Sequence, residues 1–280
     1  MMIIDKDTNK LFLADCLPKK QPKFFPRFEK VLKDCNLDYE FLPGTKDTWA
    51  VDYMPVQVSK DKFVQFNYYP TYLRTPYWRK TISDADAICK AISLKPVKSD
   101  LFVDGGNVIR SEDKVIMCDK VFSENNNITK NTLIRQLEEL LEVDKIVFVP
   151  WDKNDFTGHA DGMVRFIDNN TVFVNDYSKE NAGFQKRFRT SIHEAGLDCV
   201  ELPYNLDYNK SDDEANGIYM NFLQMNGFII VPIFGIKEDE EAVKIMEQVF
   251  KGQNIATIES NELAYEGGIL NCISWNILKN

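Results

Sequence analysis

The chain has 280 residues, of which 44% are hydrophobic, and it carries a formal net charge of −9 at pH 7. A chain of this length and apolar content can bury a large core, which excludes a disordered protein. The acidic balance argues against nucleic acid as a partner and suits a cationic substrate, and no apolar run approaches the roughly 18 residues of a membrane span.

Five amphipathic patterns recur along the chain, and the spacing of their apolar residues predicts five helices. In the third pattern, Asn131 and Thr132 stand at the start, where a capping residue is expected. The predicted helices cover residues 23–35, 81–94, 128–143, 179–195 and 238–251.

A short apolar run follows each predicted helix, and a second run follows the polar loop that comes next, which predicts two strands in each unit. The first runs cover residues 39–42, 100–103, 145–149, 199–202 and 255–258. The second runs cover residues 63–66, 115–118, 172–174 and 228–233. The fifth unit lacks a second run, and we expect segment 11–14 near the N-terminus to supply this strand and close a ring.

The polar loops recur with a period of about 50 residues. Asp52 and Asp104 are 52 positions apart, His159 follows 55 positions later, and Cys272 lies 113 positions beyond His159, about two further steps. The fourth loop is segment 216–221. Such a period indicates a repeat architecture in which each unit places one helix on the outside and one loop on a shared face.

His159 and Cys272 form a candidate nucleophilic pair, because a cysteine and a histidine distant in sequence often meet in thiol enzymes. His159 lies in the segment GHADG, and Cys272 follows the Gly-Gly turn of EGGILNC. The other histidine, His193, falls in a predicted helix and is interpreted as a surface residue. Among the remaining cysteines, Cys16 stays ambiguous. Four are interpreted as buried packing residues: Cys35, Cys89, Cys118 and Cys199.

Three carboxylates, Asp52, Asp104 and Asp161, occupy the same loops. Desolvating several carboxylates together is costly unless a cation pairs with them, and the planar, forked guanidinium is a good match. A cysteine protease does not need several acids in its pocket. A metal site is the rival interpretation, but no standard zinc spacing is present and no metal is expected.

Four segments resemble the motifs of the guanidino-group-modifying enzymes: WAVDYMP at 49–55, DGGN at 104–107, GHAD at 158–161 and GGILNC at 267–272. Their order and spacing are most similar to the agmatine deiminase and Porphyromonas-type peptidylarginine deiminase family. The resemblance covers essentially the whole chain. It implies an α/β fold, a five-bladed pseudo-symmetric propeller of ββαβ repeats around a central active site.

The resemblance also implies roles for individual residues. Cys272 matches the nucleophile and His159 the general acid and base. Asp52 and Asp161 match the carboxylates that bind the guanidinium nitrogens. Four further motif residues are expected on the substrate side of the site: Trp49, an aromatic that lines the channel, Asp104, which orients the histidine in some relatives, Asn107 and Gly268.

Two departures bear on the substrate. Val51 stands where agmatine deiminases usually have arginine immediately before the first aspartate, and the chain is shorter than most of those enzymes. Arg74, in a predicted loop over residues 68–79, lies where the Porphyromonas-type enzyme uses basic residues to hold a substrate carboxylate. A solvated surface charge is the alternative interpretation of Arg74.

The expected activity is hydrolysis of a guanidino substrate (agmatine, arginine or an arginine-containing peptide) to a ureido product and ammonia through a covalent thiouronium, without a cofactor. A dimethylarginine hydrolase or an amidinotransferase on the same fold is one alternative, and a non-catalytic guanidinium-binding protein is another. We expect a single catalytic domain, residues 1–280, in the cytoplasm, because no linker, signal peptide or CxxC motif is present. The sequence leaves the oligomeric state open, a homodimer among the alternatives.

Overall fold

The computed structural model describes residues 1–211 and 214–279, within which fifteen strands form five small sheets of three strands each. The strands are β1 Lys10–Ala14, β2 Tyr39–Leu42, β3 Val56–Gln57, β4 Phe63–Asn67, β5 Val97–Phe102, β6 Ile109–Arg110, β7 Lys114–Cys118, β8 Lys145–Val149, β9 Val164–Phe166, β10 Thr171–Asn175, β11 Asp198–Leu202, β12 Leu223–Met225, β13 Phe228–Ile233, β14 Asn254–Glu259 and β15 Ser274–Ile277.

The α-helices connect these strands, and the longer ones match the five predicted helices. They are α1 Leu17–Lys20, α2 Phe24–Asp34, α3 Ala50–Tyr53, α4 Ala85–Ala91, α5 Lys120–Glu124, α6 Lys130–Leu141, α7 Ala182–Glu194, α8 Asp239–Val249 and α9 Asn261–Ala264. In the described residues, none of the helices is long and apolar enough to cross a membrane.

All five sheets have the same pattern of strand pairing. The central strand pairs antiparallel with one neighbour and parallel with the other, as β7 does with β6 and β8. The parallel pair requires a crossover, which a helix such as α6 provides. The five sheets therefore form the expected five-bladed α/β propeller.

The N-terminal strand closes the ring, as predicted. In its sheet, β1 lies between β15 and β2, antiparallel to β15 and parallel to β2. Leu13 pairs with Ser274, two positions beyond Cys272. The two ends of the chain thus build one blade, and their pairing positions the loop that carries Cys272.

The first strand of each blade was not predicted. These strands have two to four residues, β3 and β6 only two each. They directly follow the polar loops and are too short for an alternating pattern to show. Each polar loop therefore lies between two strands of the ring, which restricts its conformation more than the sequence indicated.

Two expectations about individual residues are wrong. The cap of α6 is Thr129, whose hydroxyl accepts the Thr132 N–H at 3.2 Å, and not Asn131 or Thr132. Thr129 has extended backbone and precedes the first helical residue, as an N-cap must. Of the four cysteines expected to be buried, Cys89 and Cys118 are buried, Cys35 is only partly buried and Cys199 is exposed.

Candidate active site

The polar loops converge on one cavity of about 570 Å³. Residues from four of the five loops line it, including Asp52, His159, Asn221 and Cys272. Asp161 also lines the cavity, two residues beyond His159 in the same loop. The ring therefore brings together side chains that are up to 220 positions apart between Asp52 and Cys272.

Asp52 lies in the one-turn helix α3 and is buried. Its Oδ1 accepts the Gly106 N–H at 3.0 Å. The same loop is joined to the fifth loop, because the Val51 N–H donates to the Cys272 carbonyl at 3.3 Å. Gly106 has no side chain, and a Cβ at this position would lie 2.7 Å from Asp52 Oδ1 and 2.8 Å from His159 Nδ1.

His159 lies between two carboxylates. Its Nε2 is 2.9 Å from Asp104 Oδ2, and its Nδ1 is 3.4 Å from Asp52 Oδ1. The Tyr72 hydroxyl lies 3.3 Å from Asp104 Oδ2 and 3.4 Å from His159 Nε2. The His159 N–H donates to Asp155 Oδ2 at 3.1 Å, which fixes the backbone of the loop. Asp104 is outside the cavity lining and supports the imidazole from behind.

Burial and charge act in opposite directions on this histidine. Burial disfavours the imidazolium, but the negative charges of Asp52 and Asp104 outweigh it and raise the pKa of His159 to about 10. For Asp52, burial is the largest effect, and it raises the pKa of the carboxyl to about 8 even though His159 opposes the shift. The two groups therefore titrate as one coupled pair, which holds protons more tightly than the free side chains would.

Cys272 lies in the turn between α9 and β15, with its thiol beside Asp161 and Asn221. The Sγ atom is 3.5 Å from Asp161 Oδ2 and 3.2 Å from Asn221 Nδ2. Asn221 also accepts the Cys272 N–H at 3.2 Å and donates to Asp161 Oδ2 at 2.9 Å. One amide thus fixes the backbone of the cysteine, the sulfur and the neighbouring carboxylate.

The thiol is protonated in the empty site. Burial and the nearby charge of Asp161 raise the pKa of Cys272 well above its usual range. Burial likewise raises the pKa of Asp161. A cation between these groups would favour the ionised form of each. The arrangement therefore becomes reactive only when a positively charged molecule enters.

Trp49 and Gly268 form one wall of the cavity. A Cβ at Gly268 would lie 2.5 Å from Cζ3 of the Trp49 ring, so the glycine allows the indole to pack against the backbone of the fifth loop. The two residues that the sequence placed in separate motifs are thus direct neighbours.

Besides Asp104, which lies behind the imidazole, two residues expected at the substrate lie elsewhere. The Asn107 carboxamide binds backbone: it accepts the Cys118 N–H at 2.6 Å and the Ala160 N–H at 3.3 Å, and it is outside the cavity lining. Arg74 forms an ion pair with Glu124 at 2.8 Å and donates to the Tyr69 carbonyl. Arg74 therefore fastens the 68–79 loop to α5, and it does not face the cavity.

The structure adds residues that the sequence did not single out. Asn221 falls in the fourth loop, where the repeat phase was the available signal, but asparagines at positions 216 and 221 could not be told apart. Asn271 and Tyr72 gave no signal, because contacts between loops decide their roles. Among the described residues, no group of three or more histidine, cysteine or acidic side chains is arranged to hold a metal ion.

Comparison with known proteins places the chain in a family. The sequence matches the Porphyromonas-type peptidyl-arginine deiminase family over residues 25–277. The chain belongs to this family. It is 28% identical over 205 residues to the agmatine deiminase of Stutzerimonas stutzeri, covering 62% of this chain and 54% of that one. It is 24% identical over 230 residues to the agmatine deiminase of Medicago truncatula, covering 70% of this chain and 60% of that one.

The fold agrees with that membership in the peptidyl-arginine deiminase family. The structure of C. jejuni agmatine deiminase superimposes with a TM-score of 0.82 at 20% identity, covering 100% of this chain and 96% of that chain. By sequence, the matched region covers 54% and 60% of the two agmatine deiminases named above.

Proposed function

We propose that this protein hydrolyses the guanidino group of a small cationic substrate to a ureido group, releasing ammonia. The observation that carries the proposal is the placement of the Cys272 thiol, the His159 imidazole and two buried carboxylates, Asp52 and Asp161, around one point of the cavity. We propose further that residues 1–280 act as one catalytic domain, and that the enzyme works in the cytoplasm, where its free cysteines stay reduced.

The carboxylates bind the substrate. A guanidinium offers paired N–H donors that match carboxylate oxygens, so one edge pairs with Asp52 and the other with Asp161. Each carboxylate keeps one oxygen that other contacts leave open, since Gly106 donates to Oδ1 of Asp52 and the amides of Asn221 and Asn271 to Oδ2 of Asp161. The pairing places the central carbon of the guanidinium near Cys272.

Charge on the bound substrate activates the nucleophile. The guanidinium favours the thiolate of Cys272, which attacks the central carbon to form a tetrahedral adduct. His159 donates its proton to one nitrogen, the C–N bond breaks, and ammonia leaves. A thiouronium remains on the sulfur. His159, now neutral, removes a proton from water, which attacks the same carbon and displaces the thiolate. The ureido product is uncharged and loses its pairing with the carboxylates.

Binding of the substrate should release protons. Burial raises the pKa of Asp52 to about 8, so this carboxyl, which titrates together with His159, must give up a proton at pH 7 to pair with a guanidinium. With Cys272→Ala, which retains the carboxylates, calorimetric titration of agmatine at pH 7 should therefore show release of up to about one proton per site.

The release is measured as the dependence of the observed enthalpy on the ionisation enthalpy of the buffer. It should diminish above pH 8, where Asp52 is already ionised. For the same reason, kcat/KM of the intact enzyme should rise with pH up to about 8. The pH dependence of kcat/KM reflects the ionisation of groups in the free enzyme, where Asp52 must lose its proton before substrate can pair with it. The same enthalpy in two buffers at pH 7 would contradict the assignment of Asp52.

The rest of the cavity lining favours a substrate with a cationic tail. Besides the carboxylates at the thiol, Asp47, Glu214 and Glu266 line it, and among the described residues its lining contains one lysine, Lys20, and no arginine. Burial raises the pKa of Asp47 although Lys20 acts against this. An ammonium would pair with these acids, whereas a substrate carboxylate would be repelled by them. We therefore assign agmatine above arginine or an arginine-ended peptide.

Agmatine should exceed arginine in kcat/KM by about tenfold or more, the ratio that roughly 1.4 kcal/mol produces. Lys20→Gln should leave agmatine turnover unchanged or improve it, because it removes the only lysine in the described lining. Lys19→Gln, on the same helix but outside the lining, is the matched control. If Lys20→Gln lowered arginine turnover alone and arginine were the better substrate, Lys20 would be a carboxylate receptor and the assignment would be reversed.

A further inference from the structure

A chain of polar contacts connects Asp161 in the active site with Asp5 near the N-terminus. Asn271 Nδ2 donates to Asp161 Oδ2 at 2.7 Å, and Asn271 Oδ1 accepts from Arg165 Nη1 at 2.9 Å. Arg165 is 3% exposed and follows Asp161 by four positions, at the start of its blade. A buried arginine thus stands one amide away from a substrate-binding carboxylate.

The other end of the arginine is anchored near the N-terminus. Arg165 Nη2 lies 2.6 Å from Asp5 Oδ2, and Arg110 contacts the other oxygen of the same carboxylate. A small cavity of about 60 Å³ borders Asp5, Arg110, Arg165 and Asn271, on the far side of Asn271 from the active site. Burial acts to raise the pKa of Asp5, but the two arginines outweigh it and lower the pKa below its usual range.

These contacts fix the direction of the Asn271 amide. Its nitrogen can only donate and its oxygen can only accept, so a carboxylate on one side and a guanidinium on the other permit a single orientation. In that orientation the amide holds Oδ2 of Asp161. Asn221 holds the same oxygen, which directs the remaining oxygen of Asp161 to a substrate.

Arg165 belongs to the chain of contacts but not to the active-site lining. It also donates to the Phe222 carbonyl at 3.3 Å and lies 4.6 Å from the centre of the Phe222 ring. Phe222 directly follows Asn221, the residue that contacts the Cys272 thiol. Arg165 therefore supports both amides that hold Asp161.

We propose that Arg165 is a positioning residue for deimination: through Asn271 it orients Asp161 for the guanidinium and favours the ionised carboxylate before substrate arrives. This inference rests on the proposed function. It assigns Arg165 no contact with the substrate, and its effect is transmitted by one hydrogen-bonded amide and by its charge.

The charge effect has a defined sign. Burial raises the pKa of Asp161, whereas the positive charges of His159 and Arg165 lower it. The charged and titratable groups that face Asp161 are His159, Asp52, Asp155, Cys272 and Arg165. Among them Arg165 supplies a permanent positive charge. Its removal must raise the pKa of Asp161, so a higher pH is needed before the carboxylate can pair with substrate.

The test compares Arg165→Met with Arg110→Met. Both variants remove one of the two ion pairs of Asp5, but only the first removes the contact with Asn271. We expect Arg165→Met to lower kcat/KM for agmatine about 10–100-fold, the scale of outer partners that orient a binding group. Most of the loss should be in KM, and the acidic limb of the pH profile should move to higher pH. Arg110→Met should keep the wild-type pH profile and stay within about twofold in kcat/KM.

Arg165→Met leaves Asp5 with a single partner and could lower stability. The double variant Asp5→Asn/Arg165→Met removes that carboxylate charge while the Asn271 contact stays lost. Thermal unfolding should show recovery of stability in the double variant, and kcat/KM should not recover. Recovery of activity together with stability would overturn the proposal, as would equal kinetics and pH profiles for Arg165→Met and Arg110→Met.

A second readout does not depend on turnover. The rate at which iodoacetamide alkylates Cys272 should differ from wild type in Arg165→Met, because Asp161 and Asn221 both contact the thiol, and should be unchanged in Arg110→Met. If wild type deiminates no guanidino compound, the proposed function is wrong. The alkylation rates would still show whether Arg165 positions the groups around Cys272. Unchanged alkylation in both variants, with turnover unaffected, would remove Arg165 from the site.

Discussion

Replacing Cys272 with alanine should abolish deimination while leaving the fold intact. The substitution removes the sulfur that, in the proposed mechanism, forms the covalent bond to the guanidinium carbon. Losses on the order of 10⁴–10⁶-fold in kcat follow removal of a nucleophile in other enzymes. Cys272 lies in a turn between α9 and β15, so its side chain takes no part in the pairing of β15 with β1. Ammonia release from agmatine is the measurement.

Cys118→Ala is the matched control. Its thiol is also buried, but it lies in β7, where it packs in the core and does not line the cavity. This variant should lose about 1 kcal/mol or more of unfolding free energy and keep its kcat. Equal turnover by wild type and Cys272→Ala would refute the covalent mechanism. Covalent labelling by a haloacetamidine should likewise reach Cys272, and preferential labelling of the half-buried Cys16 would count against it.

Gly106→Ala should also impair catalysis strongly, although it adds only a methyl group. The new Cβ would lie 2.7 Å from Asp52 Oδ1, 2.8 Å from His159 Nδ1 and 3.3 Å from Asp161 Oδ2. In the proposed mechanism these groups bind the guanidinium and transfer the proton, so they cannot move aside without losing their alignment. A displacement of about 1 Å can cost on the order of 10²-fold in rate, and kcat/KM should fall by at least that much.

Gly162→Ala serves as the comparison for this glycine. A Cβ at Gly162 meets its nearest heavy atom, Cγ2 of Ile218, at 3.9 Å, which is ordinary van der Waals contact. That variant should stay within about tenfold of wild-type kcat/KM. Both proteins should be compared by thermal unfolding and by titration with agmatine. Gly106→Ala with wild-type affinity and turnover would show that the carboxylates and the histidine are held less tightly than the structure indicates.

Much of the fold could be predicted because local sequence patterns indicate its helices and strands. Helices α2, α6, α7 and α8 each start and end within a few residues of their predicted bounds, since apolar periodicity is a property of neighbouring residues. Helix α4 begins at Ala85, four residues later than predicted, because Asp84 accepts the Ala87 N–H and caps it there. Ring closure by β1 was also predicted, since the repeat count left one strand missing.

The five-unit repeat and the motif residues Cys272, His159, Asp52 and Asp161 could be identified without coordinates, because repetition and motif order are properties of the sequence. The contacts among these residues depend on the tertiary structure. Only the packing of α5 against the 68–79 loop shows that Arg74 pairs with Glu124 instead of facing substrate. Only the ring places Arg165 behind Asn271, 106 positions away. Such contacts join distant segments, and their geometry depends on every blade between those segments. Local sequence patterns therefore do not predict these contacts.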